Sequence, residues 1–115
     1  MDIKIKKILY TLKEILENKY SSDYSKLYLF GSQIDSYHPD SDCDIMIVFK
    51  KAKDWKQIKE IMDLVIDVGI ENDIVFNSKI YSENQLETHI YKEVPLIQNI
   101  LKAGVIIWLI TIKKI

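Results

Sequence analysis

Apolar residues in the first twenty positions recur at the spacing of one helix face, with Lys and Glu between them: Ile5, Ile8, Leu9, Leu12, Ile15 and Leu16. This pattern predicts an amphipathic helix that ends near residues 18–20. Two apolar runs follow, over residues 27–30 and 43–49, and each predicts a buried strand. Residues 31–42 between them are rich in Gly, Ser, Asp and Pro and predict a loop.

The middle of the chain continues with a second helix and a third strand. Asp54 and Gln57 have the spacing of a capping box, which predicts a helix start. Gly69 is a stop signal at the end of the apolar positions of this helix. Residues 73–76 are short and β-branched and predict the third strand.

The last third of the chain predicts short elements. Ser82 with Gln85 is a second capping-box pattern, and Pro95 suits the first turn of a further helix. Residues 105–109 predict a fourth strand. We therefore expect an α+β fold in a single domain, residues 1–115, with a small mixed β-sheet and helices packed mainly on one face.

Charge and composition narrow the classes of partner. Sixteen basic residues oppose seventeen acidic ones, so a broad basic footprint for nucleic acid is not expected. All sixteen basic residues are lysine, which excludes bidentate guanidinium clamps on phosphate within this chain. Any anion must then be held by lysine, backbone N–H groups, hydroxyls or a metal.

The chain carries no sign of a membrane or an oxidising compartment. Cys43 is the only cysteine, the N-terminus lacks an apolar signal core, and the apolar run 105–110 is too short to cross a bilayer. We expect a cytoplasmic protein. The apolar residues of the tail, 105–115, predict either a longer edge strand or an interface with a second copy or a partner protein.

Two aspartates at the start of the second strand are the first candidates for chemistry. Asp42 and Asp44 are two apart, so their side chains point the same way, about 7 Å apart at the Cβ level for a rise of about 3.3 Å per residue. Mg²⁺ binds such oxygen ligands together with substrate phosphates. The alternative is a solvated strand entrance or a capped turn.

A Gly-Ser pair and a third carboxylate complete the candidate site. Gly31 lets the backbone approach a ligand closely, and the N–H groups that follow, with the Ser32 hydroxyl, suit phosphate oxygens. Asp73 is the candidate third acid, as a ligand for a second ion or as a general base. Asp67 and Glu71 are the competing candidates for that role. The alternative interpretation of Asp73 is a residue of the connection between helix and strand.

Gly31-Ser32, followed after a loop by Asp42-Cys43-Asp44 and an apolar strand, resembles the signature of the polymerase-β-like nucleotidyltransferases. Among these, the chain is most similar to the minimal nucleotidyltransferases, the antitoxin halves of HEPN/MNT toxin–antitoxin pairs. The segment 94–105 also resembles the closing helix and strand of that family. Together these motifs cover most of the chain.

The resemblance implies Mg²⁺ bound by Asp42, Asp44 and Asp73, and ATP or another NTP bound near Gly31 and Ser32. It implies transfer of AMP to a hydroxyl of a protein partner, a tyrosine of a HEPN-type toxin. The loop 33–40 departs from the family pattern because it lacks the Arg and the Gly that members commonly carry.

Two other functions stay open on the sequence. One is a non-catalytic module of the same fold that neutralises a partner by binding, suggested by the altered loop and the apolar tail. The other is transfer of a nucleotide to a small molecule such as an antibiotic, which requires an acceptor pocket.

Overall fold

A computed structural model describes residues 2–36, 38–88 and 93–108 of the chain. It contains four helices, four strands and one 3₁₀ turn within these ranges. In chain order they are α1 (Ile3–Tyr20), β1 (Tyr24–Phe30), the 3₁₀ turn (Gly31–Gln33), β2 (Cys43–Phe49), α2 (Trp55–Glu71), β3 (Phe76–Ser82), α3 (Glu83–Glu87), α4 (Pro95–Ala103) and β4 (Val105–Ile106).

The four strands form one mixed sheet in the order β3-β2-β1-β4. β1 runs antiparallel to β2 and β4, while β2 and β3 are parallel. A parallel pair needs a long crossover, which α2 supplies. Because β1 ends where β2 and β3 begin, the Gly-Ser pair and the strand entrances of β2 and β3 lie at the same end of the sheet.

Both faces of the sheet are covered, and the two long helices share one of them. Alternate residues of β1 and β2 pack under α1 and α2 in the larger core. The buried members from the two helices are Ile5, Ile8, Leu9, Leu12, Leu16, Ile61, Val65 and Val68. On the opposite face, α3 and α4 contribute Leu86, Ile97 and Ile100 against Tyr28, Met46 and Val48. The predicted mixed sheet with helices mainly on one face is confirmed, and the second face carries the two short helices.

Local signals explain most of the helix boundaries. The Asp54 side chain accepts a hydrogen bond from Gln57 N, and the Gln57 side chain accepts one from Asp54 N, so the predicted capping box is present. Ser82 and Gln85 form the second predicted box. Pro95 begins α4 as its spacing indicated.

The third strand and the end of the second helix differ from the sequence prediction. α2 continues past Gly69 to Glu71, and Asp73 then takes a left-handed conformation with φ of 55°. Ile74 N donates a hydrogen bond of 2.9 Å to Gly69 O, which keeps this stretch in a helix-capping turn. The strand therefore runs from Phe76 to Ser82, so the predicted strand 73–76 overlaps it only at Phe76 and was wrong at both ends.

The end of the chain is only partly described. β4 comprises two residues paired with β1, shorter than the predicted strand 105–109. Residues 109–115 lie outside the described residues, and with them most of the tail for which an interface was predicted. No helix in the described part of the chain is long and apolar enough to span a membrane.

Candidate nucleotide and metal site

Gly31 turns the chain out of β1 and brings it against Asp44. Its φ is +79°, and a Cβ atom there would lie 2.3 Å from Asp44 Oδ2. Both features favour glycine, since other residues rarely adopt this conformation and a side chain would collide with the carboxylate. The 3₁₀ turn Gly31–Gln33 follows, with Ser32 exposed to solvent.

Asp44 is the most constrained of the candidate acids. It is half-buried at the start of β2, where Phe30 is its partner on β1 and Asn77 its partner on β3. Asn77 Nδ2 donates a hydrogen bond of 2.9 Å to Asp44 Oδ1. Asp44 Oδ2 faces Gly31. The carboxylate is therefore held from two sides at the end of the sheet.

Asp42 and Asp73 line the same small cleft. The cleft has a volume of about 110 Å³, and Asp40 lines it together with Asp42 and Asp73. All three residues are exposed. Within residues 2–36, 38–88 and 93–108, no group of three or more His, Cys, Asp or Glu side chains is arranged to hold a metal ion.

The competing acids of α2 lie elsewhere. Asp67 and Glu71 line a groove between α1 and α2, together with Ile15 and Lys19. The structure thus brings Asp73, but neither competitor, into the cleft of Asp42. The role of Asp73 stays a prediction.

Gln33 supports the loop that leads from the turn to the two aspartates, and the sequence analysis missed it. Its side chain is 1% exposed. Nε2 donates to the carbonyl oxygens of His38, at 2.8 Å, and Ser41, at 3.0 Å, while Oε1 accepts from His38 N at 2.9 Å. One amide therefore satisfies three backbone groups of a loop that lacks the usual Arg and Gly. A glutamine beside Gly-Ser was the only available signal, and its loop partners are visible only in three dimensions.

The lysines that follow β2 serve the opposite end of the sheet. Lys53 forms an ion pair with Asp23, and the backbone N–H of Lys51 donates to Asp23 Oδ1 at 3.0 Å. Lys50 N donates to the Asp23 carbonyl at 2.8 Å. This run secures the start of β1 and lies away from the aspartates.

Oxygen donors at the strand entrances fit a hard divalent cation. Asp42 and Asp44 supply two carboxylates, and one of these is already fixed by Asn77 and Gly31. Such a pair, with oxygens from a bound triphosphate, is the donor set that Mg²⁺ prefers. The backbone N–H groups after Gly31 and the Ser32 hydroxyl add donors suited to phosphate oxygens.

Cys43 points away from the aspartates into the larger core and is 1% exposed. Burial raises the pKa of its thiol to about 12, and the neighbouring Asp44 carboxylate adds to the shift. A thiol that stays protonated is a poor nucleophile. Cys43 is therefore a core residue, as its position between the two aspartates predicted.

Cys43 is expected to make the protein less stable in mild alkali. The unfolded thiol ionises above about pH 8.5, whereas the folded one keeps its proton, so the free energy of unfolding falls as pH rises from there. The fall approaches about 1.4 kcal/mol per pH unit for one group. Urea denaturation at pH 7, 9 and 10 measures it. Cys43→Ala is expected to remove this pH dependence. An equal fall in the free energy of unfolding of wild type and variant would show that Cys43 is not its cause.

A known protein family matches most of the chain. The family described as "Polymerase beta, Nucleotidyltransferase" matches residues 10–109. The chain therefore belongs to the polymerase-β nucleotidyltransferase family, which confirms the predicted resemblance. The protein is thus of the nucleotidyltransferase class.

Among solved structures, a chain of the crystal structure of a mutant of the toxin–antitoxin MntA–HpeT is similar to this one. The TM-score is 0.59 at 17% sequence identity, over 86% of this chain and 72% of that chain. At this identity the likeness is one of fold. No curated protein matches the chain.

Proposed function

We propose that this nucleotidyltransferase transfers AMP from ATP to a hydroxyl of a protein partner and acts as the antitoxin of a toxin–antitoxin pair. The observation that carries the proposal is the packing of Asp44 against the Gly31 turn. A carboxylate that accepts a hydrogen bond from Asn77 lies beside the turn Gly31–Gln33, whose backbone N–H groups are donors suited to phosphate oxygens.

The similarity to MntA–HpeT supports the biological setting. That solved mutant replaces two aspartates, two positions apart, with glutamate. Asp42 and Asp44 have the same separation here. The proposed acceptor is a tyrosine of a HEPN-type toxin, which is the acceptor that the sequence resemblance to the minimal nucleotidyltransferases implies.

Each candidate residue has a separate part in the proposed reaction. The backbone after Gly31 and the Ser32 hydroxyl bind the phosphates, and Asp42 and Asp44 hold Mg²⁺. When bound, Mg²⁺ neutralises charge on the α-phosphate and on the leaving pyrophosphate. Asp73, across the cleft from Asp42, is the candidate third acid that accepts the proton of the attacking hydroxyl or binds a second ion. Positioning and electrostatics supply most of the rate.

Calorimetric titration with ATP, with and without Mg²⁺, tests the site. Wild-type protein is expected to bind ATP only with the metal, and Asp42→Asn with Asp44→Asn is expected to bind none, because the neutral amides lose the charge that attracts the cation. Asp35→Asn with Asp67→Asn changes the net charge equally and is the matched control. Equal ATP affinity in wild type and the site variant would overturn the proposed site.

The second candidate function is neutralisation of a partner by binding alone. It is favoured because, in the parts of the chain that the structure describes, no three acids are arranged so that they could hold a metal ion together. The partner protein and ATP, incubated with wild type or the double aspartate variant, separate the two functions. An active enzyme adds the mass of one nucleoside monophosphate less one water to the partner, and the double aspartate variant does not. A pure binder adds no mass, and its variant still neutralises.

A further inference from the structure

We infer that Asn77 is a positioning residue for Asp44, fixing the carboxylate in the orientation in which it binds the cation. This rests on the proposed function, because it assigns a residue to the same metal site. Neither the aspartate motif nor the Gly-Ser pair contains Asn77, and the chain places it 33 residues after Asp44.

The strand register brings the two residues together. In the parallel pair β2–β3, Asn77 is the direct partner of Asp44. Residues two apart on a strand lie on the same face of the sheet. Asp44 therefore shares the face of Met46 and Val48 on β2, and Asn77 shares the face of Tyr81 on β3. This is the face that α3 and α4 cover. The hydrogen bond of 2.9 Å between Asn77 and Asp44 is the result.

The hydrogen bond uses only one side of the carboxylate. Asp44 Oδ1 accepts from Asn77, and Asp44 Oδ2 lies against the turn at Gly31. Each carboxylate oxygen has two lone pairs, so acceptor capacity remains for a cation. A ligand held in one rotamer loses less conformational entropy when the ion binds.

Asn77 also sets the charge of the site. An amide beside Asp44 donates a hydrogen bond without adding charge, whereas a carboxylate there would place two like charges at hydrogen-bond distance. Outer partners that orient metal ligands typically change metal affinity by about 10- to 100-fold when they are removed. Asn77 has the geometry of such a partner.

The test measures binding of Mn²⁺ in the presence of a non-hydrolysable ATP analogue, by calorimetry and by the electron paramagnetic resonance of free Mn²⁺. Asn77→Ala is expected to lower Mn²⁺ affinity about tenfold. Asn77→Val, which also lacks the donor but favours a strand, is expected to give the same loss. Asn99→Ala, a change of the same type at an exposed position of α4, is the control and keeps wild-type affinity.

Asn77→Asp separates positioning from a general effect on folding. With no metal, the new carboxylate repels Asp44 and lowers the melting temperature. With Mn²⁺, the cation bridges the two charges, so the rise in melting temperature on adding Mn²⁺ is larger than in wild type. An unchanged rise would show that the carboxylate beside position 77 does not bind the cation, and would overturn the proposed role of Asn77.

The outcomes distinguish the two proposals. Wild-type affinity in Asn77→Ala and Asn77→Val, with Mn²⁺ binding intact in the wild type, overturns the role of Asn77 alone. A wild-type protein that binds neither Mn²⁺ nor the analogue overturns the proposed nucleotidyltransferase site and the role of Asn77 with it.

Discussion

Gly31→Ala is expected to lower the affinity for ATP with Mg²⁺ by about 100-fold or more, because it displaces the carboxylate that holds the ion. The added Cβ would lie 2.3 Å from Asp44 Oδ2, and the φ of +79° disfavours any side chain. The conformation alone costs about 1–2 kcal/mol for a residue other than glycine. To relieve this collision, either the Asp44 carboxylate gives up its hydrogen bond with Asn77 or the turn at residue 31 moves away. Calorimetric titration measures the loss of affinity.

Ser32→Ala is the control for this prediction. It changes the neighbouring residue of the same turn, removes one hydroxyl and adds no atom. The loss of one hydrogen bond of about 1 kcal/mol reduces ATP affinity only about fivefold. Folded Gly31→Ala protein that binds ATP as tightly as the wild type would show that Asp44 and the turn do not form one site.

Gly69→Ala is expected to destabilise the protein by about 2 kcal/mol, although alanine is the better helix former by about 1 kcal/mol. Gly69 lies inside α2, where a Cβ atom would be 2.4 Å from the Ile74 carbonyl oxygen. That oxygen belongs to backbone held by the hydrogen bond from Ile74 N to Gly69 O. The steric term therefore outweighs helix propensity. Urea denaturation measures the free energy of unfolding.

Asp67→Ala isolates the helix-propensity term for the same helix. Asp67 is exposed in α2 and its replacement creates no contact with Ile74. A gain of a few tenths of a kcal/mol is expected there. Stabilisation of Gly69→Ala by a similar amount would mean that the turn after α2 adapts freely to a side chain.

The elements that the sequence predicted well have strong periodic signals. α1 buries the predicted apolar face, and β2 has the predicted bounds. The prediction placed β3 too early because Ile74 and Val75 are β-branched and so resemble a strand. These residues lie between the turn that ends α2 and the first residue of β3. The strand itself is mostly half-buried and contains three consecutive polar residues, 77–79, so its apolar content is low.

The candidate site shows the same division between local and long-range information. Gly31 and the two aspartates are visible in the sequence because each stands at a strand end in a known pattern. Gln33 and Asn77 were not recognised, since the loop path and the register of β2 with β3 determine their partners. The catalytic roles of Asp42, Asp44 and Asp73 are predictions that await the experiments above.

β3 forms one edge of the described sheet, so its outer backbone groups have no neighbouring strand there. Exposed edges are where chains pair with one another and aggregate. Asn77 joins that edge to the proposed nucleotide site. A ligand that binds the folded sheet but not its locally opened form raises the free energy of opening by RT ln(1 + c/Kd), where c is the concentration of free ligand. Nucleotide at the proposed site would thus also protect this edge of the sheet against self-association.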